Sequence, residues 1–212
     1  MFKADDGTGK IENRIKIIKD QSIGEYKWDT SDSNNWARPA TLNTELNTTY
    51  LNSLDSTSKS MIGNTKYYLG GYYATSSQKD VMYQYERKIQ NTKSNEFYYG
   101  SNPNSFIGKL GLMYASDYGY AVSDECTQNL MSYSGVATCT NNNWLFKGNS
   151  EWLLPQHSYY SYYAFTVEAF GSVKNNHVNV NQNGVRPVLY LISSVEITGG
   201  DGTSSSPYTL GL

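Results

Sequence analysis

Residues 162–192 read YYAFTVEAFGSVKNNHVNVNQNGVRPVLYLI, and this stretch decides the fold class. Apolar and polar side chains alternate over residues 162–168, which predicts a strand with one face in the core and the other in water. Tyr163, Phe165 and Val167 form the predicted core face. A second alternation, over residues 177–181, predicts that the two runs pair as an antiparallel hairpin.

Residues 185–192 follow a breaking glycine and are nearly continuous in apolar character, which predicts a central strand that is buried on both faces. Pro187 has no backbone N–H to donate to a neighbouring strand, so a bulge is expected there. Further along, the turn-rich segment 198–207 separates residues 195–197 from residues 208–210. This arrangement predicts a hairpin at the C-terminal end of the sequence.

Helices are predicted in the N-terminal third. Residues 41–54 repeat leucine and tyrosine at a spacing of four, and Thr41 stands where an N-cap is expected. A second short helix is predicted over residues 57–62. Strands are predicted over residues 14–20, 66–73 and 107–115, the second of them interrupted by Gly70-Gly71.

These elements predict an α+β chain of short, mostly antiparallel strands with one or two helices in the N-terminal third and long loops. The chain has 212 residues, which is enough for one substantial hydrophobic core. No shift in composition along the chain indicates a second hydrophobic core. We therefore interpret residues 1–212 as a single domain.

The composition is polar but sparsely charged. Charged residues make up 17% of the chain, aromatic residues make up 14%, and 20 residues are tyrosine. Tyrosine-rich surfaces with serine and asparagine suit adaptable recognition, although a tyrosine-rich sheet is an equally valid interpretation.

The net charge of −2 and the scattered Lys and Arg residues argue against a nucleic-acid partner. No apolar run is long enough to cross a membrane, so any anchor is expected upstream of this sequence.

The two cysteines, Cys126 and Cys139, flank a loop-like run. A disulfide between them is predicted, and a pair of free thiols is the alternative. A disulfide would place the protein in an oxidising compartment. The sequence has no CxxC motif and no nearby pair of histidines, so no zinc site is expected.

Catalytic motifs are not recognised. His157 and His177 belong to neither an HExxH nor a GxSxG motif, and the scattered carboxylates do not form a glycosidase pair. No dinucleotide or phosphate loop and no EF-hand loop is found, so neither cofactor nor metal is expected. The sequence therefore favours a protein that is not an enzyme.

The candidate ligand-binding surface is a dense set of polar and aromatic side chains that are expected to face outward. Its structural alternative is an ordinary solvated sheet face beside a polar loop. Tyrosines that crowd one loop cannot all be buried by one strand, and exposed aromatic patches mark contact sites. The set comprises Gln156, His157, Ser158, Tyr159, Tyr160, Ser161, Tyr162, Asn175, Asn176, His177, Asn179, Asn181 and Asn183.

Several short motifs carry a resemblance to a known family. They are NNW at 34–36, LNTTYLNSL at 46–54, YLGG at 68–71, GLMYASDYGYA at 111–121, NWLF at 143–146, GVRPVLYL at 184–191 and GDGTSSSPY at 200–208. With these motifs the chain resembles the exported, pilin-linked surface proteins of gut Firmicutes and Mollicutes. Their globular part is similar to the C-type-lectin-like fold, which formylglycine-generating enzymes and the variable proteins of diversity-generating retroelements share.

The resemblance implies an extracellular or cell-surface adhesion module whose diversified residues lie within residues 156–183. It implies a protein or glycan ligand at a cell or phage surface, with pilus subunits as further partners and a membrane link only through an N-terminal anchor that this sequence lacks. Cys126 and Cys139 precede the position of the enzyme's catalytic cysteines, and Leu154-Pro155-Gln156 replaces the calcium-lectin tripeptide. The alternatives are a structural pilin-like subunit and, third, an enzyme of the formylglycine-generating type.

Overall fold

The computed structural model describes residues 1–36, 38–73, 78–87, 103–180 and 183–212. Within these ranges the chain is mixed α+β, with short and mostly antiparallel strands and few helices, as the sequence predicts. The strands are β1 Phe2–Asp5, β2 Ile11–Arg14, β3 Lys16–Ile18, β4 Glu25–Tyr26, β5 Thr65–Tyr68, β6 Ser105–Gly108, β7 Leu110–Gly111, β8 Glu151–Gln156, β9 Tyr163–Val167, β10 Val173–His177, β11 Asn183–Gly184, β12 Val188–Tyr190, β13 Glu196–Gly199 and β14 Thr209–Gly211. The helices are α1 Thr41–Glu45, α2 Leu51–Ser53, α3 Ser56–Met61, α4 Lys79–Glu86, α5 Ala115–Tyr120 and α6 Ala137–Thr140.

Two sheets organise the described chain. The larger has the order β10-β9-β8-β11-β4, and the smaller has the order β3-β12-β7. Strand β11 pairs in parallel with β8, whereas the other pairings between named strands of the described ranges are antiparallel. Because β4 pairs with β11 and β3 pairs with β12, early and late segments of the sequence are held together in both sheets.

The central strands β8 and β9 are buried on both faces. In β8, Trp152 packs in a cluster with Trp28 and Leu46, whereas Leu153 packs in a second cluster with Phe165. The prediction that one face of β9 meets water is therefore wrong. The residues expected on that face, Ala164 and Thr166, are buried too. Ala164 belongs to the first cluster, and Thr166 Oγ1 lies 3.5 Å from the carbonyl oxygen of Lys174.

The predicted hairpin is confirmed in its first strand and displaced in its second. β9 pairs with β10, whose bounds are Val173–His177, and the prediction had placed this strand at residues 177–181. The turn closes early because Glu168 N–H donates to the carbonyl of Ser172 and Gly171 takes a positive φ of 92°. His177 is thus the last residue of β10, opposite Tyr163.

Residues 185–192 are buried for most of their length, as predicted, but they do not form one strand. They leave the larger sheet after β11 and enter the smaller one as β12, which lies between β3 and β7. Pro187 lies between the two strands, and its carbonyl accepts a hydrogen bond from Lys19 N–H at 3.0 Å. The predicted bulge at Pro187 is therefore wrong. The chain passes there from the larger sheet to the smaller one.

The predicted helix over residues 41–54 runs from α1 through a π-helical turn, Leu46–Tyr50, into α2. Its N-cap is Ala40 and not Thr41. Asp29, from another segment, supplies the missing side-chain acceptor, because its Oδ2 accepts from Thr41 N–H at 3.0 Å. The second predicted helix is confirmed as α3.

Predicted strands were longer than the observed ones. The strand over residues 14–20 is divided between β2 and β3, that over residues 66–73 ends with β5, and that over residues 107–115 is divided between β6 and β7. The C-terminal hairpin is confirmed as β13 and β14.

The disulfide between Cys126 and Cys139 is confirmed, with its Cα atoms 4.9 Å apart. Both cysteines are buried in the second hydrophobic cluster, beside Leu130 and Phe165. The bond therefore fastens the long irregular segment between α5 and β8 to the core. In the part of the chain that is described, helices are too short and too polar to cross a membrane.

Gly70 and Gly71 allow three segments to meet. A Cβ at Gly70 would lie 2.0 Å from the carbonyl oxygen of Tyr85, and one at Gly71 would lie 2.1 Å from that of Gln156. Both distances are far inside van der Waals contact, and both neighbours are backbone atoms. Only glycine therefore lets the chain after β5 pass between α4 and the end of β8.

Gly70→Ala is expected to lower the free energy of unfolding by about 2 kcal/mol or more, because backbone must move to admit the methyl group. Gly199→Ala is the matched control, since a Cβ there meets nothing closer than 3.7 Å. Urea denaturation followed by circular dichroism measures both variants. Equal midpoints for the two variants would contradict the close approach at Gly70.

Candidate functional site

The candidate site lies where β8 ends, β9 begins and β10 ends. Residues 157–162 connect β8 to β9, and His177 closes β10 beside them. The segment between β4 and α1 crosses the same end of the sheet and contributes Asp32 and Asn34. We call the outer part of this region the tyrosine surface, which consists of Asp32, Tyr159, Tyr160, Tyr162, Tyr163 and His177.

The rings of the tyrosine surface form one contact network. Tyr160 lies edge-on to Tyr159, with ring centroids 4.8 Å apart, and Tyr162 stacks on His177 at 4.9 Å. Tyr163 contacts both Tyr162 and His177. Tyr159 and Tyr160 are 53% and 42% exposed, so a continuous aromatic cluster faces solvent.

The side chain of Asn34 holds the loop that carries these rings. Its Nδ2 lies 3.1, 2.9 and 2.5 Å from the carbonyl oxygens of His157, Tyr160 and Tyr163. Its backbone N–H also donates to the carbonyl of Ser161 at 2.7 Å. The side chain of Asn34 is fully buried, so the donor group of these hydrogen bonds is shielded from water. Asn34 thus contacts four backbone carbonyls between the end of β8 and the start of β9.

Asp29 in turn holds the segment that delivers Asn34. Its carboxylate accepts hydrogen bonds from Ser31 N–H, Thr41 N–H and the guanidinium of Arg38. Burial raises the pKa of Asp29, but these hydrogen bonds outweigh burial and leave the pKa below its usual value. The ionised carboxylate therefore joins the start of α1 to the segment that crosses the site.

His157 stabilises the same loop from within. Its Nδ1 accepts the backbone N–H groups of Tyr159 and Tyr160, each at 3.1 Å, and its ring stacks on Phe165. An imidazole nitrogen that accepts hydrogen bonds cannot carry a proton, so His157 is neutral here. Burial lowers the pKa of His157 and keeps it in this form, opposed by a hydrogen bond to the backbone of Tyr73.

Four residues that the sequence placed on the outer surface are buried, so their predicted outward position is wrong: Gln156, His157, Ser158 and Asn183. The backbone beside Gly71 covers the first three, since Gln156 Nε2 donates to the carbonyl of Leu69 and Ser158 N–H donates to that of Tyr72. Asn183 lies in β11, opposite Tyr26 of β4. These four side chains support the surface from below.

The other predicted site residues keep partial access to solvent. The exposed ones are Tyr159 and Tyr160, and the half-buried ones are Ser161, Tyr162, Asn175, Asn176, His177 and Asn179. Asn181 lies outside the described residues. The structure therefore brings the loop tyrosines and His177 together, as predicted, and places the asparagines of β10 alongside them.

Sequence reasoning missed three residues of the site. Tyr163 was assigned to the core face of β9, but it is half-buried and contacts His177. Asp32 Oδ1 lies 3.5 Å from His177 Nδ1. Asn34 lies beneath the loop, against its backbone carbonyls. The run of turn-forming residues around Asp32 signals a loop, but nothing in it indicates which distant loop it contacts.

Asn34→Ala is expected to lower the free energy of unfolding by about 2–3 kcal/mol, because buried carbonyl groups lose their donor. Asn34→Asp, which keeps the size but presents acceptors to those carbonyls, is expected to be at least as harmful. Asn149→Ala is the control, since that exposed side chain contacts only its own loop. Urea denaturation compares the three, and an unchanged midpoint for both Asn34 variants would contradict the role assigned to this amide.

The neutral state of His157 predicts a pH dependence. Since the pKa of His157 lies below its usual value of 6.5 in the folded chain, its contribution is complete above about pH 6.5 and is lost as pH falls through the folded-state pKa. His157→Asn keeps an acceptor but does not titrate. The difference in unfolding free energy between wild type and this variant should therefore shrink between pH 7 and pH 5. A constant difference would show that the pKa of His157 is the same in the folded and the unfolded chain, which would contradict this prediction.

The tyrosine surface offers ring faces, phenolic hydroxyl groups, one imidazole and one carboxylate. Such groups can contact apolar patches and exchange hydrogen bonds with a ligand. Among the residues whose positions are described, no group of three His, Cys, Asp or Glu side chains is placed to hold a metal ion. Comparison of the chain with protein-family models, with curated proteins and with solved structures gave no match.

Proposed function

We propose that this chain is an extracellular recognition module that binds a protein or glycan ligand through the tyrosine surface, without catalysis. The observation that carries the proposal is an exposed aromatic cluster whose backbone is hydrogen-bonded to the buried side chains of Asn34 and His157. A binding loop that is already ordered loses little entropy when a ligand arrives. Exposed tyrosines supply contact area at low entropic cost.

We also propose that the fold is C-type-lectin-like. Support comes from the helices α1–α3 in the N-terminal third, the short antiparallel strands, and the long irregular segment between α5 and β8 that the disulfide fastens. In this proposal the loop after β8 and the hairpin of β9 and β10 present the ligand-binding residues. The disulfide is consistent with an oxidising, extracellular location.

A diversified variable protein remains the more specific form of this proposal. Diversification is tolerated only where a side chain does not support the core, which excludes Gln156, His157, Ser158 and Asn183. The positions that can vary are then the tyrosines and His177 of the tyrosine surface and the half-buried asparagines beside it. Relatives encoded next to a reverse transcriptase should differ at these positions and keep the four buried ones.

The joint replacement Tyr159→Ala, Tyr160→Ala and Tyr162→Ala is expected to weaken ligand binding at least 10-fold, because aromatic anchors dominate such interfaces. Binding of the wild type to a glycan microarray and to intact cells would be measured first, to identify a ligand. The triple variant should keep its free energy of unfolding within about 1.5 kcal/mol of that of the wild type, since Tyr159 and Tyr160 are exposed and Tyr162 is half-buried.

Phe170→Ala is the matched control, because Phe170 is a 74% exposed aromatic residue at the opposite, turn end of the same hairpin. It should bind like the wild type. Full binding by the triple variant would contradict the recognition role of the surface. A triple variant that is exported but no longer polymerises would instead support the alternative, a pilin-like subunit whose tyrosines form subunit contacts.

A further inference from the structure

A second site lies away from the tyrosine surface. Residues of β1, β3, β5, α4 and α5, together with Trp144, line a cleft of about 790 Å³. It shares no residue with the tyrosine surface. Ligand sites of proteins commonly enclose 300–1,000 Å³, so the cleft has the size of a site for a small organic molecule.

The charge of the cleft is opposite to that of the whole chain. The chain carries a formal charge of −2. The cleft, however, is lined by four cationic side chains and two carboxylates, namely Lys3, Lys16, Lys66 and Arg87 with Asp5 and Asp117. A cleft with an excess of one charge concentrates ligands of the other charge.

The two carboxylates are already engaged in holding backbone. Asp5 accepts the N–H groups of Gly7 and Gly9 at the β1–β2 turn. Asp117 accepts Tyr114 N–H at 2.8 Å at the start of α5, besides its ion pair with Lys16. The two carboxylates balance two of the four cations, so the lining side chains keep an excess of positive charge.

Two of the cations lie over one aromatic ring on the floor of the cleft. Lys16 Nζ is 5.4 Å from the centroid of Tyr114, and the guanidinium carbon of Arg87 is 3.8 Å from it. The side chain of Lys16 is only 9% exposed, so it is held in place. Burial raises the pKa of the neighbouring Glu86 to about 7, so this carboxyl is only partly ionised at neutral pH and offsets less of Arg87's charge.

Aromatic side chains form the rim above these cations. Tyr83, Tyr120 and Trp144 are 47%, 53% and 68% exposed. Large apolar rings that remain in water at the mouth of a cleft mark a contact surface. They can pack against the apolar body of a ligand whose charged group reaches Lys16 and Arg87.

We propose that this cleft binds a small organic anion with an aromatic body, its acidic group placed over Lys16 and Arg87 and its rings packed between Tyr120 and Trp144. The site is independent of the proposed function of the tyrosine surface. We expect a small molecule because Lys16 and Tyr114, which are 9% and 2% exposed, lie deep in a recess of about 790 Å³ and not along an extended surface.

Fluorescence titration with two matched probes tests the proposal. 8-Anilinonaphthalene-1-sulfonate carries the aromatic body and a negative charge, whereas N-phenyl-1-naphthylamine carries the same rings without the charge. The sulfonate is expected to bind the wild-type chain at least 10-fold more tightly than the neutral amine. Equal affinity of the two probes would overturn the proposal.

Variants locate the bound probe. Trp144→Ala and Tyr120→Ala remove exposed rings and are each expected to weaken binding of the sulfonate about 5-fold or more, because ring contacts are lost. Lys16→Gln should reduce the preference for the sulfonate over the amine. Since Lys16 also pairs with Asp117, Lys66→Gln provides a second charge variant if the first does not fold.

The control is the triple alanine variant of Tyr159, Tyr160 and Tyr162, which should bind the sulfonate as the wild type does. Loss of sulfonate binding in this control, with Trp144→Ala unaffected, would assign the probe to the tyrosine surface and overturn the cleft site. Because each surface has its own variants, failure of one proposal leaves the other standing.

Discussion

Strands β8 and β9 are covered on both faces, and the position of the candidate site follows from that constraint. Trp152 and Leu153 point into different hydrophobic clusters, so the sheet cannot slide or turn without exposing one of them. The loop after β8 therefore leaves the sheet at a fixed point. Gly71 lets backbone close over Gln156 there, which buries the first residues of the loop and leaves its tyrosines outside.

Hydrogen bonds replace regular secondary structure beyond that point. The loop of residues 157–162 meets the segment from β4 to α1 through Asn34, and Asp29 fixes that segment against α1. These hydrogen bonds are cooperative, because the buried amide of Asn34 and the buried carboxylate of Asp29 each have several partners, and one displacement of the side chain breaks all of its bonds together. The exposed rings thus rest on a rigid backbone although they lie in a loop. A molecule that meets these rings would therefore find a backbone that is already ordered.

Local patterns in the sequence predicted local structure well. The alternation in β9, the leucine spacing of α1 and the cysteine pair each depend on neighbours in the chain, and all three were predicted. The errors concern the bounds of strands and which side of an element is covered. Whether Ala164 faces water depends on the first hydrophobic cluster, whose members are distant in the sequence, and Asn34 reaches a loop 123 residues away. Such contacts are fixed by the packing of the whole chain, which periodicity does not contain.

The two proposed binding sites differ in the kind of ligand that would suit them. On the tyrosine surface the charged groups are Asp32 and, when protonated, His177, and they lie beside each other in solvent, where such pairs contribute little energy. Affinity there must come from ring contacts and neutral hydrogen bonds. In the cleft, Lys16 is almost buried against aromatic rings, where a charge interacts more strongly than it does in water. A ligand that depends on a negative charge therefore gains more in the cleft, and a broad neutral ligand gains more on the tyrosine surface.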